Sequence, residues 1–123
     1  MGAPPVVGLA DKLALFSDHW NPRIVGRYNG NEVRLAKLKG EFVWHSHADT
    51  DELFLVVKGR LTIEFRDGVR TLGPGEFLVV PKGVEHRPVA EEEEVELLLM
   101  DREGESNTGE VTSELTRTSL ETL

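Results

Sequence analysis

The chain has 123 residues, with 22 acidic against 14 basic side chains and a formal net charge of −8. That length fits one domain, the apolar share of 39% supplies a modest core, and the acidity argues against a nucleic-acid backbone as partner. Cysteine is absent, which excludes disulfides and thiol catalysis. No apolar run is long enough to span a membrane. Met1 to Leu9 lacks a basic stretch followed by an apolar one, so no secretory signal is read and the cytoplasm is the expected location. Twelve glycines and six prolines, many of them paired between short apolar runs, predict strands and turns rather than a helical bundle.

Residues 1–22 read as an arm with a short helix. Leu9, Leu13 and Phe16 have helical spacing, and Ser17-Asp18-His19-Trp20-Asn21-Pro22 breaks it. His19 reads as a surface residue and Trp20 as a packing residue. Arg23 to Tyr28 and Glu32 to Leu38 read as strands joined through Asn29-Gly30-Asn31, a hairpin signal because Asn and Gly tolerate positive φ. Val33, Leu35 and Lys37 fall on one face. A turn or bulge at Gly40-Glu41 leads into a predicted strand from Phe42 to His47. There His45 and His47 point the same way, and Phe42 and Trp44 take the opposite face.

Glu52 opens the run Leu53-Phe54-Leu55-Val56-Val57, which is apolar on both faces and ends at Gly59. Arg60 to Arg66 alternates, with Leu61, Ile63 and Phe65 on one face. Asp67-Gly68 predicts a second hairpin, and Val69 to Leu72 returns. Gly73-Pro74-Gly75 turns the chain into a predicted buried strand, Phe77 to Val80. Pro81-Lys82-Gly83 turns it again toward His86. Glu91 to Glu94 reads as a solvated turn, and Val95 to Met100 as the last core strand. Residues 101–123 change composition: polar at first, then Leu115, Leu120 and Leu123 amid Ser and Thr. They read as a disordered tail, or as an arm that packs along this barrel or a neighbour's in an expected homodimer. Eight or nine short strands within residues 23–100 imply an antiparallel sandwich or barrel.

His45, His47, Glu52 and His86 form a donor set of three nitrogens and one oxygen. Such a set suits one divalent transition metal (Fe, Mn, Ni, Co or Zn) and disfavours Ca, which prefers oxygen ligands. The competing reading is a group of buried polar residues that only hydrogen-bond. Burying unpaired imidazoles and carboxylates is costly, which favours ligation.

The pattern resembles the cupin superfamily, in particular small single-domain cupins. The first cupin motif is a Gly, His-x-His, a Glu three or four residues on, then six residues and a Gly. Gly40, His45, His47, Glu52 and Gly59 match it, with four rather than five residues between Gly40 and His45. The second motif is a Gly, five residues, Pro-x-Gly, two residues, His, three residues and Asn. Gly75, Pro81, Gly83 and His86 match, and Ala90 replaces the Asn, which leaves the wall there less polar. The resemblance covers roughly residues 24–100.

It implies an all-β fold, a small antiparallel β-barrel or jelly roll (a double-stranded β-helix). It places His45, His47, Glu52 and His86 as metal ligands at the barrel's open end. The implied function is metal-dependent action on a small oxygen-rich organic molecule, as a dioxygenase, or as a sugar or sugar-phosphate isomerase or epimerase. A non-catalytic small-molecule-binding module is the other class. Such modules are usually fused to a DNA-binding domain, for which these residues leave no room. Metal-free epimerases of the group use a His base and a Tyr acid, and the single tyrosine, Tyr28, has no paired signal. With Glu52 committed to metal no general base stands out, so catalytic residues stay unassigned and oxygenase chemistry leads. Lys82, Glu85 and Arg87 read as surface residues. Phe54, Val56, Phe77 and Val79 are candidates for an apolar pocket.

Overall fold

In the computed structural model, which describes residues 2–123, one short helix precedes seven strands. The helix α1 is Leu9–Leu13. The strands are β1 (Arg23–Tyr28), β2 (Asn31–Glu41), β3 (Glu52–Lys58), β4 (Leu61–Phe65), β5 (Gly68–Leu72), β6 (Phe77–Val80) and β7 (His86–Arg102). All the strand pairings are antiparallel, so the expected all-β antiparallel barrel with a short N-terminal helix is the fold. Strands number seven where eight or nine were expected, because Phe42 to His47 is not a strand and the chain after Ala90 continues β7. No helix among the described residues is long and apolar enough to cross a membrane.

The sheet runs β1-β2-β7-β3-β6, with β4 pairing both β7 and β5. β7 is the hub. One edge pairs with β2 along almost its whole length. The other edge pairs with β4 near His86 and with β3 near Met100. Glu91 to Glu94 lie within β7 rather than in a turn. They are exposed, and the register passes from Leu38↔Val95 to Gly40↔Ala90, so the acidic residues bulge out between partners. Their solvation was legible in their charge; the continuity of the strand through them was not.

Local chemistry explains the turns. Asn29 and Gly30 have φ of +49° and +77°, as a tight β1–β2 hairpin demands. The β4–β5 hairpin differs from expectation by one residue. Phe65 pairs with Gly68, so Arg66 and Asp67 make the turn and Gly68 begins the return strand. Gly59 is required for a different reason. Its φ is +89°, and a Cβ there would stand 2.8 Å from the Glu94 carbonyl oxygen in β7.

Two apolar clusters hold the fold. The interior of the barrel packs Ala36, Leu38, Phe54, Val56, Leu61, Ile63, Leu72, Val80, Val95 and Leu97 with Trp20 and Phe42. Full burial of each larger aliphatic side chain contributes roughly 1.5–3 kcal/mol. Outside, Leu13 and Phe16 of the N-terminal arm cover Val25 and Leu35, with Val33 against them. The Val33-Leu35-Lys37 face of β2 thus meets the arm, and Lys37 Nζ donates to the Phe16 carbonyl at 2.8 Å. β6 corrects the expectation of burial: Phe77 is 64% exposed and Val79 46%. Phe77 and Val79 belong to neither apolar cluster, so no layer covers that face of the strand and their side chains meet solvent.

Residues 103–123 form no strand but pack on the chain's own barrel. Leu115 rests against the interior cluster and Leu123 against the outer one. The Ile24 N–H donates to the Glu121 carbonyl, and the Leu123 N–H to the Ile24 carbonyl, both at 2.9 Å. Asn107 knots this segment: its Nδ2 donates to the Leu115 carbonyl at 2.9 Å, and its Oδ1 accepts from the Arg117 N–H at 2.6 Å.

Candidate metal centre

His45, His47, Glu52 and His86 come together, all buried, each with one donor atom within 4.8 Å of the others. Backbone bonds join the two motifs. The N–H of His45 donates to the carbonyl of His86 at 3.0 Å, and the His86 N–H returns the bond at 2.9 Å. The Gly83 N–H donates to the His47 carbonyl at 2.8 Å. Glu52 enters as the first residue of β3, on the inward face shared with Phe54 and Val56.

The segment leading to the histidines is irregular, with a single bridge at His45↔His86. The strict alternation expected for Phe42 to His47 therefore fails at one point. Phe42 is on the same side as His45, its ring edge-on at 5.3 Å, and not on the opposite face. Trp44 does face outward, with the Arg66 guanidinium 3.8 Å above its ring. Trp20 stacks on Phe42 at 4.6 Å.

Each histidine turns its Nδ1 outward and leaves Nε2 toward the centre. His45 Nδ1 donates to the Val43 carbonyl at 2.9 Å, and His86 Nδ1 to the Val84 carbonyl at 3.0 Å. His47 Nδ1 donates to Glu105 Oε2 at 2.9 Å. Nε2 of His47 and of His86 lie 3.3 and 3.4 Å from Glu52 Oε1. None of those three inward atoms has a hydrogen-bond partner, although all are buried. Buried polar atoms are ordinarily satisfied. Three orphaned donors facing one point, with the outer nitrogens already fixed, fit a bound cation with oriented imidazoles. The site can hold a metal ion through His45, His47, Glu52 and His86.

Burial, and then the neighbouring His86, push His45 down to about 4, so its imidazole is neutral at physiological pH. Burial also opposes charge on His47, but the carboxylates of Glu52 and Glu105 on either side outweigh it and raise its value. Glu52 loses hydration, yet contacts from His47, His86 and Asp101 hold it well below the usual carboxylate range. Burial and the adjacent Glu52 hold Asp101 well above its ordinary value.

Asp101 belongs to a buried polar group that alternation in the sequence did not reveal. Arg34, 1% exposed, donates to Glu32 Oε1 from Nε at 3.0 Å and from Nη2 at 2.7 Å. Its Nη1 reaches Asp101 Oδ2 only at 3.4 Å, and Nη2 also donates to the Glu105 carbonyl at 2.9 Å. The short bonds assign the Arg34 charge chiefly to Glu32. Against His45 and Glu52 lies a cavity of about 30 Å³, with Trp20, Leu38, Phe42, Phe54, Leu97 and Leu99 among its walls. Arg34, His45, Glu52, Asp101 and Asn107 supply its polar lining.

The other expected residues are placed as follows. Phe54 lines this cavity, Val56 is core, and Phe77 and Val79 are exposed and do not line it. Ala90 is fully buried in the barrel core and is not part of the cavity wall. Lys82 and Glu85 are exposed. Arg87 pairs with Glu64 at 2.8 Å and Glu41 at 3.0 Å. His19 lies away from the centre, bonded to Glu94 at 2.7 Å. Glu105 and Asp101 were missed. Their only sequence signal is an acidic residue in a polar stretch, which normally denotes solvent.

Residues 31–101 match the family model for the Cupin domain. A cupin-2 domain containing protein from Shewanella frigidimarina NCIMB 400 is 48% identical, with a TM-score of 0.77 over 79% of this chain and 94% of that one. Protein NMB1881 from Neisseria meningitidis is 35% identical, with a TM-score of 0.73 over 80% and 99% of the two chains. The uncharacterized protein YdbB of Bacillus subtilis (strain 168) is 44% identical over 64 residues, which are 51% of this chain and 57% of YdbB.

Proposed function

The chain belongs to the Cupin domain family, and on that premise we propose that it is a metal-dependent enzyme of the dioxygenase type. Its substrate is a small uncharged molecule that binds through one or two oxygens. One observation carries the reading: three imidazoles and one carboxylate converge, buried, beside an apolar cavity. A bound Fe or Mn would supply redox and Lewis-acid chemistry there.

The chain's own residues narrow the substrate. Leu38, Phe42, Phe54, Leu97 and Leu99 exclude water and receive a hydrocarbon body. Arg34 is the cation of the lining, and each of its nitrogens is already engaged by Glu32, Asp101 or Glu105. No lining cation is left over for a phosphate, which makes phosphorylated sugars the weaker class. His45 and Glu52 are committed to metal, which leaves Asp101 as the one acidic group of the wall outside the ligand set, with burial and the adjacent Glu52 favouring its protonated form. That favours chemistry centred on the ion. A cavity of about 30 Å³ has room for roughly two waters. That space holds no whole substrate, so a β-diketone, catechol or flavonol alike would have to displace part of the wall.

The test is metal analysis of the purified protein, followed by oxygen uptake by the Fe- and Mn-loaded forms with β-diketones, catechols and flavonols. Uptake matched to substrate loss supports the reading. No uptake with any of them refutes dioxygenase chemistry. Tight ligand binding without turnover would then mark a binding module, and turnover of phosphorylated aldoses under nitrogen an isomerase.

A further inference from the structure

His45 and His86 find their outer partners two residues back in their own loops, at Val43 and Val84. Those bonds come with the local fold of each motif. His47 is different. Its Nδ1 depends on Glu105, 58 residues further along and beyond the stretch 31–101 that matches the family.

Glu105 is firmly placed. Its main-chain carbonyl accepts from Arg34 Nη2 at 2.9 Å, and Arg34 is itself clamped on Glu32. Its N–H donates to the Arg102 carbonyl at 3.0 Å. Its side chain is only 14% exposed. The segment that follows is fastened to the loop carrying the ligands. The Glu110 N–H donates to the carbonyl of Ser46, between His45 and His47, at 3.0 Å. Gly109, at φ +57°, lies so close that a Cβ would collide with the Ser46 carbonyl and stand 3.1 Å from His47 Nδ1. Thr108 is fully buried beside it. Residues 105–110 are thus built against the back of His47.

We infer that Glu105 is a positioning residue of the metal centre, and that residues 105–110 are part of the site rather than a tail. The carboxylate keeps the proton of the imidazole on Nδ1 and the Nε2 lone pair aimed between Glu52 and His86. It also makes His47 a stronger donor, as a carboxylate behind a ligating histidine does. The inference rests on His47 being a metal ligand.

The experiment is cobalt(II) titration against a competing chelator, with the visible d–d bands recorded, for the wild type, E105A and E105Q. E105A weakens cobalt binding by about 10–100-fold and shifts the bands. E105Q keeps an acceptor in place without the charge and falls between the two. A purely structural role would lower the melting temperature of the metal-free protein and leave affinity and bands unmoved. Wild-type affinity and band positions in E105A overturn the inference while the metal reading stands. If E105A does not fold, the same result in E105Q overturns it. A wild-type protein that binds no cobalt overturns both.

Discussion

Arg34→Met tests the buried polar group beside the cavity. Arg34 is 1% exposed and Glu32 4%, and the substitution strips Glu32 of donors at 2.7 and 3.0 Å. Methionine replaces much of the lost volume, so the cost is mainly that of a buried carboxylate left without its partner. Breaking a buried pair from one side costs about 3–5 kcal/mol. At about 2.1 cal/mol/K per residue, unfolding 123 residues carries an entropy of roughly 0.26 kcal/mol/K. The melting temperature then falls by about 12–19 °C. Thermal unfolding followed by circular dichroism in chelator, so that metal binding does not contribute, measures the change. Arg34→Met/Glu32→Met removes the stranded charge as well and recovers much of the loss, because an apolar pair of similar volume can match a buried ion pair. A fall below about 4 °C in the single variant, or a double variant less stable than the single, would refute the reasoning.

The remaining predictions concern the ligands and the backbone. His47→Ala lowers bound metal strongly while leaving the β-rich spectrum intact; wild-type metal content by elemental analysis would remove His47 from the ligand set. Gly59→Ala forces a Cβ against the Glu94 carbonyl at φ +89° and destabilises by about 1–3 kcal/mol, read as a lower urea midpoint. An unchanged midpoint contradicts the close approach. Metal affinity weakens on acidification because the ion must displace protons from imidazoles. The raised value of His47 means that its proton persists to higher pH, so competition begins earlier in an acid titration than at an unshifted histidine. Calorimetric affinities that stay flat between about pH 8 and pH 6 would contradict this.

The ligands were legible because their chemistry is local: His45 and His47 two apart, Glu52 at a strand start, and His86 after Pro81-Lys82-Gly83. The Asn29-Gly30 hairpin was legible for the same reason, since positive φ selects those residues directly. The shell around the ligands was not. Glu32, Arg34 and Asp101 are charged residues inside a barrel, and periodicity assigns charge to solvent. They meet only after β2 and β7 pair, with Glu32 opposite Asp101. Phe77 and Val79 failed in the opposite sense. An apolar run signals burial, but a face is buried only where another layer packs over it, and none covers Phe77 and Val79. Phe42 misled because alternation holds only while the backbone is a strand, and between Glu41 and His45 it is not.

β7 carries His86 at one end and Asp101 at the other, and β2, β3 and β4 all pair with it. This sharing dictates an order of events. The β1–β2 and β4–β5 hairpins join neighbours in sequence and close cheaply. The partners of β7 are far away along the chain, so their loops must close before any of the contacts contributes. His45 and His86 face each other only once β7 has docked. The complete donor set therefore exists only in molecules that have already closed. An ion captured there cannot guide the chain to its fold; it delays departure from it. Refolding should proceed at the same rate with or without metal, while unfolding slows when metal is bound.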